Sequence, residues 1–214
     1  MEGYKVHLPG EFHAQHFGVL VYGAILLCTS AGADVTDIAN ECDRCHGANG
    51  VSTESDIPSI AGISPFILEE YMFEYRDNAR TCRESEYRSG DLEQPATDMC
   101  VVADELSESK VTAIAEFYGS KEFVAAQQEF DADKAMAGAK VHKRLCKKCH
   151  SDGGSYADDD ASILAGQWMP YLEQALADQV SGDRTMLDEK MREKTDQLSD
   201  EDAVSLIHFY GSQQ

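Results

Sequence analysis

Two pentapeptides of the chain combine closely spaced thiols with an imidazole. Residues 42–46 read Cys-Asp-Arg-Cys-His, and residues 146–150 read Cys-Lys-Lys-Cys-His. Two thiols separated by two residues and followed at once by a histidine are the attachment pattern of a c-type haem. Each thiol can add to one vinyl group of the haem, and the histidine can then ligate the iron. The pattern predicts two covalently bound haem c groups, attached through Cys42, Cys45, Cys146 and Cys149 and ligated by His46 and His150.

The elements that must position these motifs are predicted to be helices. Apolar residues recur at helical spacing, and no alternating run is long enough to indicate a sheet. Thr36 can cap a helix that carries the first motif, a second helix is predicted near Phe66–Arg76, and Ser107 or Ser109 can cap a third. The buried face predicted for the third helix consists of Val111, Ile114, Ala115 and Tyr118.

The second half of the chain repeats the first. Cys42 and Cys146 differ by 104 positions, as do Arg80 and Arg184, whereas Met99 and Met191 differ by 92. We interpret this as an internal duplication of a whole domain, with twelve extra residues between Arg80 and Met99. The predicted fold class is all-α, with two tandem cytochrome c-type haem domains at residues 34–120 and 134–214. Residues 121–133 are predicted to form an ordered connector that holds the domains in a fixed arrangement, since a Gly/Ser/Pro tether is absent.

Cys82 and Cys100 border the twelve extra residues. A disulfide between them would close a loop of about 18 residues and stabilise the fold by roughly 3 kcal/mol. The alternative is a redox-active pair or a metal site.

The repeat indicates a candidate for the second axial ligand of each iron. Met99 and Met191 occupy equivalent positions, 18 residues before the Phe-Tyr-Gly-Ser that ends each domain. Thioether ligation raises the reduction potential of haem iron, although a methionine is more often a core filler. His142 and His208 lack histidine counterparts, so we interpret His142 as a helix-surface residue and His208 as partly exposed. With both axial positions filled, the chain should transfer single electrons and catalyse no reaction alone.

The net charge of the chain limits the classes of macromolecule that it can bind. The formal charge of −21 excludes nucleic acid, which requires a basic footprint, and favours docking to basic patches on other proteins. Adaptation to a saline or alkaline habitat is the alternative reading of this acidity.

Residues 1–33 resemble an export signal. An apolar run from Phe17 to Cys28 precedes Ala31-Gly32-Ala33, a small-x-small cleavage pattern that would leave Asp34 as the mature N-terminus. A retained anchor is the alternative. Export to the periplasm is also what thioether attachment of haem requires.

The order of motifs resembles a known family. Cys-x-x-Cys-His, then Ala-Gly, Arg, Met, and a closing Phe-Tyr-Gly-Ser is similar to the tandem domains of the dihaem cytochrome c4 group. Within the second half, residues 138–142, Ser151–Gly154, Ile163–Trp168 and the final Ser-Gln-Gln more closely resemble the cytochrome subunit of flavocytochrome c sulfide dehydrogenase.

This resemblance implies a dihaem subunit bound to an FAD flavoprotein that oxidises sulfide, with FAD only in the partner and a soluble cytochrome as the acceptor. The alternative is a free-standing cytochrome c4-type carrier that serves a terminal oxidase; a haem sensor with an open iron is a third reading. Carried over residue by residue, Cys42, Cys45, His46 and Met99 serve one haem, and Cys146, Cys149, His150 and Met191 serve the other. Pro58, whose carbonyl can accept from the proximal histidine, is replaced by Ser162, so equal potentials are not expected.

Overall fold

The computed structural model describes residues 31–185 and 188–214. Residues 1–30 of the predicted leader lie outside the described residues. Ala31–Gln214 form one compact unit. No helix among the described residues is long and apolar enough to cross a membrane.

The described chain is helical and contains no β-strand, which confirms the predicted all-α class; an isolated bridge joins Ser85 and Thr97. The first half contains α1 (Ala31–His46), α2 (Pro65–Arg76), α3 (Met99–Glu105) and α4 (Glu108–Gly119), and the second contains α5 (Ala132–Val141), α6 (Met169–Ser181), α7 (Glu189–Thr195) and α8 (Asp200–Gly211). A π-helical turn at His142–Cys146 follows α5 directly. α1 begins before Thr36, and α2 begins one residue before the predicted Phe66.

Each half has its own small core. The predicted buried face of α4 is confirmed, with Val111, Ile114, Ala115 and Tyr118 all buried. In the first half, α4 packs against α1 and α2; in the second, α8 packs against α5 and α6. Gly138 permits the close approach of α5 to α8, because a Cβ at this position would lie 2.0 Å from the Ser205 carbonyl oxygen.

Backbone hydrogen bonds repeat between the halves. The Gly62 N–H donates to the Tyr118 carbonyl at 2.9 Å, and the Gly166 N–H donates to the Tyr210 carbonyl at 2.9 Å. Both glycines have a positive φ, +70° and +72°, a conformation that side chains with a Cβ rarely adopt. The loop that follows each motif is thereby fastened to the last helix of its half in the same way.

Buried polar contacts join the halves. Gln167, 2% exposed, accepts from the Ser59 N–H at 3.0 Å and donates to the Ser59 carbonyl at 2.9 Å. The Trp168 indole N–H donates to the Ser52 carbonyl at 3.0 Å. Residues of the predicted connector contact the second half: the Ala126 N–H donates to the Gly166 carbonyl at 2.7 Å, and the Asp131 side chain caps α5.

An ionic cluster lies at the same boundary. Arg80 and Arg184, equivalent in the repeat, approach one Glu74 carboxylate oxygen at 3.6 and 3.5 Å, and all three side chains are buried. Burial raises the pKa of Glu74, an effect that Arg184 and Arg80 oppose. Arg83 adds a bidentate pair with Asp178, both contacts at 2.6 Å.

Cys82 and Cys100 are joined in a disulfide, with a Cα–Cα distance of 5.6 Å and a sequence separation of 18. The bond closes the segment that contains the twelve extra residues. We refer to residues 83–97 as the insertion loop.

Candidate haem-attachment sites

The first motif lies in the last turn of α1. Cys42 packs against the core of the first half, and Cys45 is half-buried. The His46 Nδ1 lies 2.9 Å from the Pro58 carbonyl oxygen, to which it can donate. This contact commits Nδ1 to the protein and leaves Nε2 as the ring nitrogen available to a metal.

Tyr118 of α4 is hydrogen-bonded to the helix that carries the first motif. Its hydroxyl lies 2.9 Å from the Ala39 carbonyl oxygen and 2.8 Å from Asp43 Oδ1. The Asp43 carboxylate also accepts from the N–H groups of Asn49 and Gly50, at 2.9 and 3.1 Å. Asp43 therefore connects the motif both to α4 and to the loop that follows it.

The second motif is built differently. Cys146 ends the π-helical turn, and residues 147–150 form a turn in which the His150 N–H donates to the Cys146 carbonyl at 3.0 Å. Cys149 is exposed, unlike Cys45. The His150 Nδ1 is buried and has no partner within hydrogen-bonding geometry among the described residues, although the Ser162 backbone acts to raise the pKa of His150 against the larger effect of burial.

The structure corrects the interpretation of His142 as a helix-surface residue. It is 6% exposed rather than on the helix surface, and its Nδ1 lies 3.1 Å from the Tyr210 hydroxyl. Burial lowers its pKa. Tyr210 is the repeat equivalent of Tyr118, so each half uses one buried tyrosine to hold its motif-bearing segment. His208 is half-buried, and its Nδ1 accepts from the Asp131 N–H at 3.1 Å.

The predicted distal ligands lie in the short third helix of each half, α3 in the first and α7 in the second. Met99 is the first residue of α3, which Asp98 caps, and Met191 lies in α7. Both are half-buried. The Gln179 side-chain amide contacts the Met191 sulfur at 4.0 Å. Ligation by both methionines stays a prediction.

Burial dominates the electrostatics of both motifs. It raises the pKa of Cys42 to about 11, and it also raises those of Cys45 and Cys146. It lowers the pKa values of both His46 and His150, so the two imidazoles are held neutral. A neutral imidazole is the form that binds a metal.

These residues fit a covalently attached haem. The four motif thiols are free rather than joined in disulfides, and each pair is followed by a half-buried imidazole whose pKa is lowered. At the second motif, the buried His150 Nδ1 has no partner within hydrogen-bonding geometry among the described residues. Haem would be attached through Cys42 and Cys45 with His46, and through Cys146 and Cys149 with His150.

Comparison with known proteins supports the same conclusion. Residues 133–209 match the family described as "Cytochrome C oxidase, cbb3-type, subunit III". Cytochrome c4 of Pseudomonas aeruginosa is 26% identical over 151 residues, which cover 67% of this chain and 68% of that protein. Reduced recombinant cytochrome c4 from Pseudomonas stutzeri superposes with a TM-score of 0.68 at 24% identity, covering 86% of this chain and 99% of that one. The chain has the tandem cytochrome c fold of the cytochromes c4.

Two further structures share this cytochrome c4-like fold. Cytochrome c4 of Acidithiobacillus ferrooxidans has a TM-score of 0.64 at 22% identity, covering 81% of this chain and 99% of that one. The thiosulfate dehydrogenase TsdBA of Marichromatium purpuratum has a TM-score of 0.64 at 23% identity, covering 81% of this chain but 36% of that one. The fold and the two motifs together assign two covalently bound haem c groups, with iron, to the cytochrome c4-like chain.

Proposed function

We propose that the chain relays single electrons in the periplasm, from the FAD subunit of a sulfide-oxidising flavocytochrome c to a soluble cytochrome. The observation that carries the relay is the fixed packing of two haem-attachment halves, joined through the buried Gln167 and Ser59. A relay requires its two redox centres to keep a constant separation, which a flexible tether between the halves would not provide.

Haem iron supplies the one-electron redox chemistry when it is bound. The residues of the chain attach, orient and enclose it. His46 and His150 would each offer one imidazole nitrogen to the iron, and Met99 and Met191 are proposed to offer one thioether sulfur each. That arrangement would leave no open position for a substrate, so the chain alone would catalyse no reaction.

An exposed apolar groove supports a permanent protein partner. The groove lies between α5 and the C-terminal end of α8 and includes Phe130, Met136 and Phe209. Met136 is 61% exposed and Phe130 is 42% exposed. Large apolar side chains at a stable protein interface are removed from water on association, which stabilises the complex.

The second candidate is a free-standing carrier that delivers electrons to a terminal oxidase. The likeness to cytochromes c4 is the observation that supports this second candidate. The TsdBA likeness, in turn, supports the presence of this fold within a dehydrogenase.

Purification of the native protein distinguishes the two. We expect FAD to co-elute in a one-to-one ratio with the chain. Met136→Glu should abolish co-elution by placing a charge in the groove. Val180→Glu is the matched control, since Val180 is 63% exposed on α6, and it should leave co-elution unchanged. An FAD-free monomer that reduces an oxidase would replace the flavoprotein proposal with the carrier.

A further inference from the structure

A compact basic segment surrounds the second motif. Residues 143–148 contain four cations and no acid: Lys143, Arg144, Lys147 and Lys148. All four side chains are exposed, on a chain whose formal charge is −21. Arg144 pairs with Asp202 at 2.9 Å, whereas the three lysines form no ion pair with any residue in the described part of the chain. We call the surface formed by residues 143–149 the second-motif face.

The equivalent segment of the first half has the opposite sign. At the repeat offset of 104, the four cations correspond to Ala39, Asn40, Asp43 and Arg44. Residues 39–46 contain Glu41 and Asp43 against Arg44, a net charge of −1, whereas residues 143–150 carry +4. The duplication therefore preserved the thiols and the histidine while the surrounding charge diverged.

The insertion loop occupies the first-motif surface. The Arg44 guanidinium donates to the Gln94 side-chain oxygen at 2.7 Å and to the Asp91 carbonyl at 2.8 Å, and it lies 3.9 Å from the Tyr87 ring centroid. The Arg88 N–H donates to the Arg44 carbonyl at 2.9 Å. The disulfide between Cys82 and Cys100 closes this loop.

The second half lacks the twelve extra residues that form this loop in the first half. Lys148 takes the register position of Arg44 and is exposed, and Cys149 is exposed where Cys45 is half-buried. The second motif is therefore both exposed to solvent and surrounded by positive charge, whereas the first is neither.

We propose that the second-motif face is the docking surface for an acidic redox partner, and that the insertion loop closes the equivalent surface of the first half. This inference rests on the proposed electron relay and assigns its external exchange to the second half. A local cluster of cations attracts an acidic surface at short range even on an acidic protein, because charges beyond a Debye length of about 8 Å at physiological ionic strength are largely screened.

A binding experiment tests the face without electron transfer. Hexacyanochromate(III) is a redox-inert, paramagnetic trianion that broadens NMR signals of nuclei near its binding site. In the reduced holoprotein we expect it to broaden the backbone amide signals of residues 143–149 and to leave those of residues 39–46 sharp. Equal broadening at the two motifs, or broadening at neither, would overturn the proposal.

A kinetic experiment tests whether electrons leave the protein at the same face. Hexacyanoferrate(III) takes one electron and no proton from the reduced holoprotein and becomes hexacyanoferrate(II). If net charge governed the encounter, repulsion between two anions would make the rate rise with ionic strength. Exchange at the second-motif face predicts a rate that falls with ionic strength.

Charge reversal gives the matched comparison. Lys147→Glu with Lys148→Glu should lower the rate about tenfold or more at low ionic strength and invert its salt dependence. The control, Lys110→Glu with Lys134→Glu, makes the same charge change in α4 and at the start of α5, and should behave like the unmodified protein. Equal effects of the two pairs would refute the docking face while leaving the relay intact. A holoprotein that gives hexacyanoferrate(III) no electrons would contradict the relay as well.

Discussion

Cys42 and Cys146 each lie beside a buried tyrosine, yet the proximal histidines that follow them differ. His46 Nδ1 has the Pro58 carbonyl as acceptor at 2.9 Å, whereas the buried His150 Nδ1 has no partner within hydrogen-bonding geometry among the described residues and interacts only more weakly with the backbone of Ser162, the repeat equivalent of Pro58. A ligand imidazole that donates its other N–H becomes more basic, and a more basic ligand favours ferric iron. The first half should therefore have the lower reduction potential.

Sequence reasoning found the motif residues and the Pro58 difference at this scale, but it did not find the roles of Tyr118 and Tyr210. Their hydroxyl partners depend on how helices cross, which no local spacing encodes. The interpretation of His142 was wrong for a related reason. The π-helical turn at His142–Cys146 changes the angular spacing of side chains, so the α-helical periodicity no longer indicates which side faces the core.

The methionine ligands give a residue-scale prediction. Met99→Ala and Met191→Ala should each remove part of the weak near-infrared band of the oxidised holoprotein, and each ferrous variant should bind carbon monoxide at one iron. Met136→Ala is the control, because Met136 is exposed and lacks a repeat partner. An unchanged near-infrared band in either ligand variant would exclude that methionine.

At the scale of elements, the insertion loop is the main difference between the halves. The offset between equivalent residues falls from 104 to 92, which predicted that the extra residues lie between Arg80 and Met99. The two cysteines that border this segment predicted a disulfide that closes it. The surface on which the loop packs could not be predicted, because it depends on contacts between Arg44 and residues about 45 to 50 positions away.

Arg44 is predicted to hold the insertion loop against the first motif. Arg44→Ala removes hydrogen bonds to Ser89, Asp91 and Gln94 and should increase the rate of limited proteolysis within residues 83–97 about tenfold, a change of about 1.4 kcal/mol in the free energy of local opening. Lys148→Ala, at the equivalent repeat position, should leave the cleavage rate unchanged. Equal cleavage rates in the two variants would show that the disulfide alone orders the loop.

The whole molecule depends on how its halves meet. The composition of the connector predicted a fixed arrangement, and the structure describes Ala31–Gln214 as one compact unit. The residues that join the halves were not predictable, since Gln167 and Ser59 are 108 positions apart and nothing in the sequence pairs them. At the repeat offset of 104, Gln167 corresponds to Ile63, but the sequence difference alone does not show that Gln167 contacts the other half.

Gln167 is predicted to stabilise the junction of the halves. Gln167→Ala leaves the buried Ser59 N–H and carbonyl without their partners, which should lower the free energy of unfolding of the holoprotein by about 2–3 kcal/mol. Gln127→Ala, at an exposed position of the connector, should change it by less than about 0.5 kcal/mol. Denaturant titration monitored by circular dichroism measures both, and equal stabilities would contradict the assigned role.

A reductive titration of the purified holoprotein, followed by absorbance, tests the central claim most directly. Two haems with filled axial positions and unlike proximal histidines predict two successive one-electron steps, and a fully reduced protein that binds no carbon monoxide. Pro58→Gly should loosen the carbonyl that accepts from His46 and raise the lower potential by on the order of 60 mV, a tenfold change in a one-electron equilibrium, while the higher potential stays fixed. Uptake of a single electron per chain, or carbon monoxide binding to the unmodified protein, would contradict a dihaem electron relay.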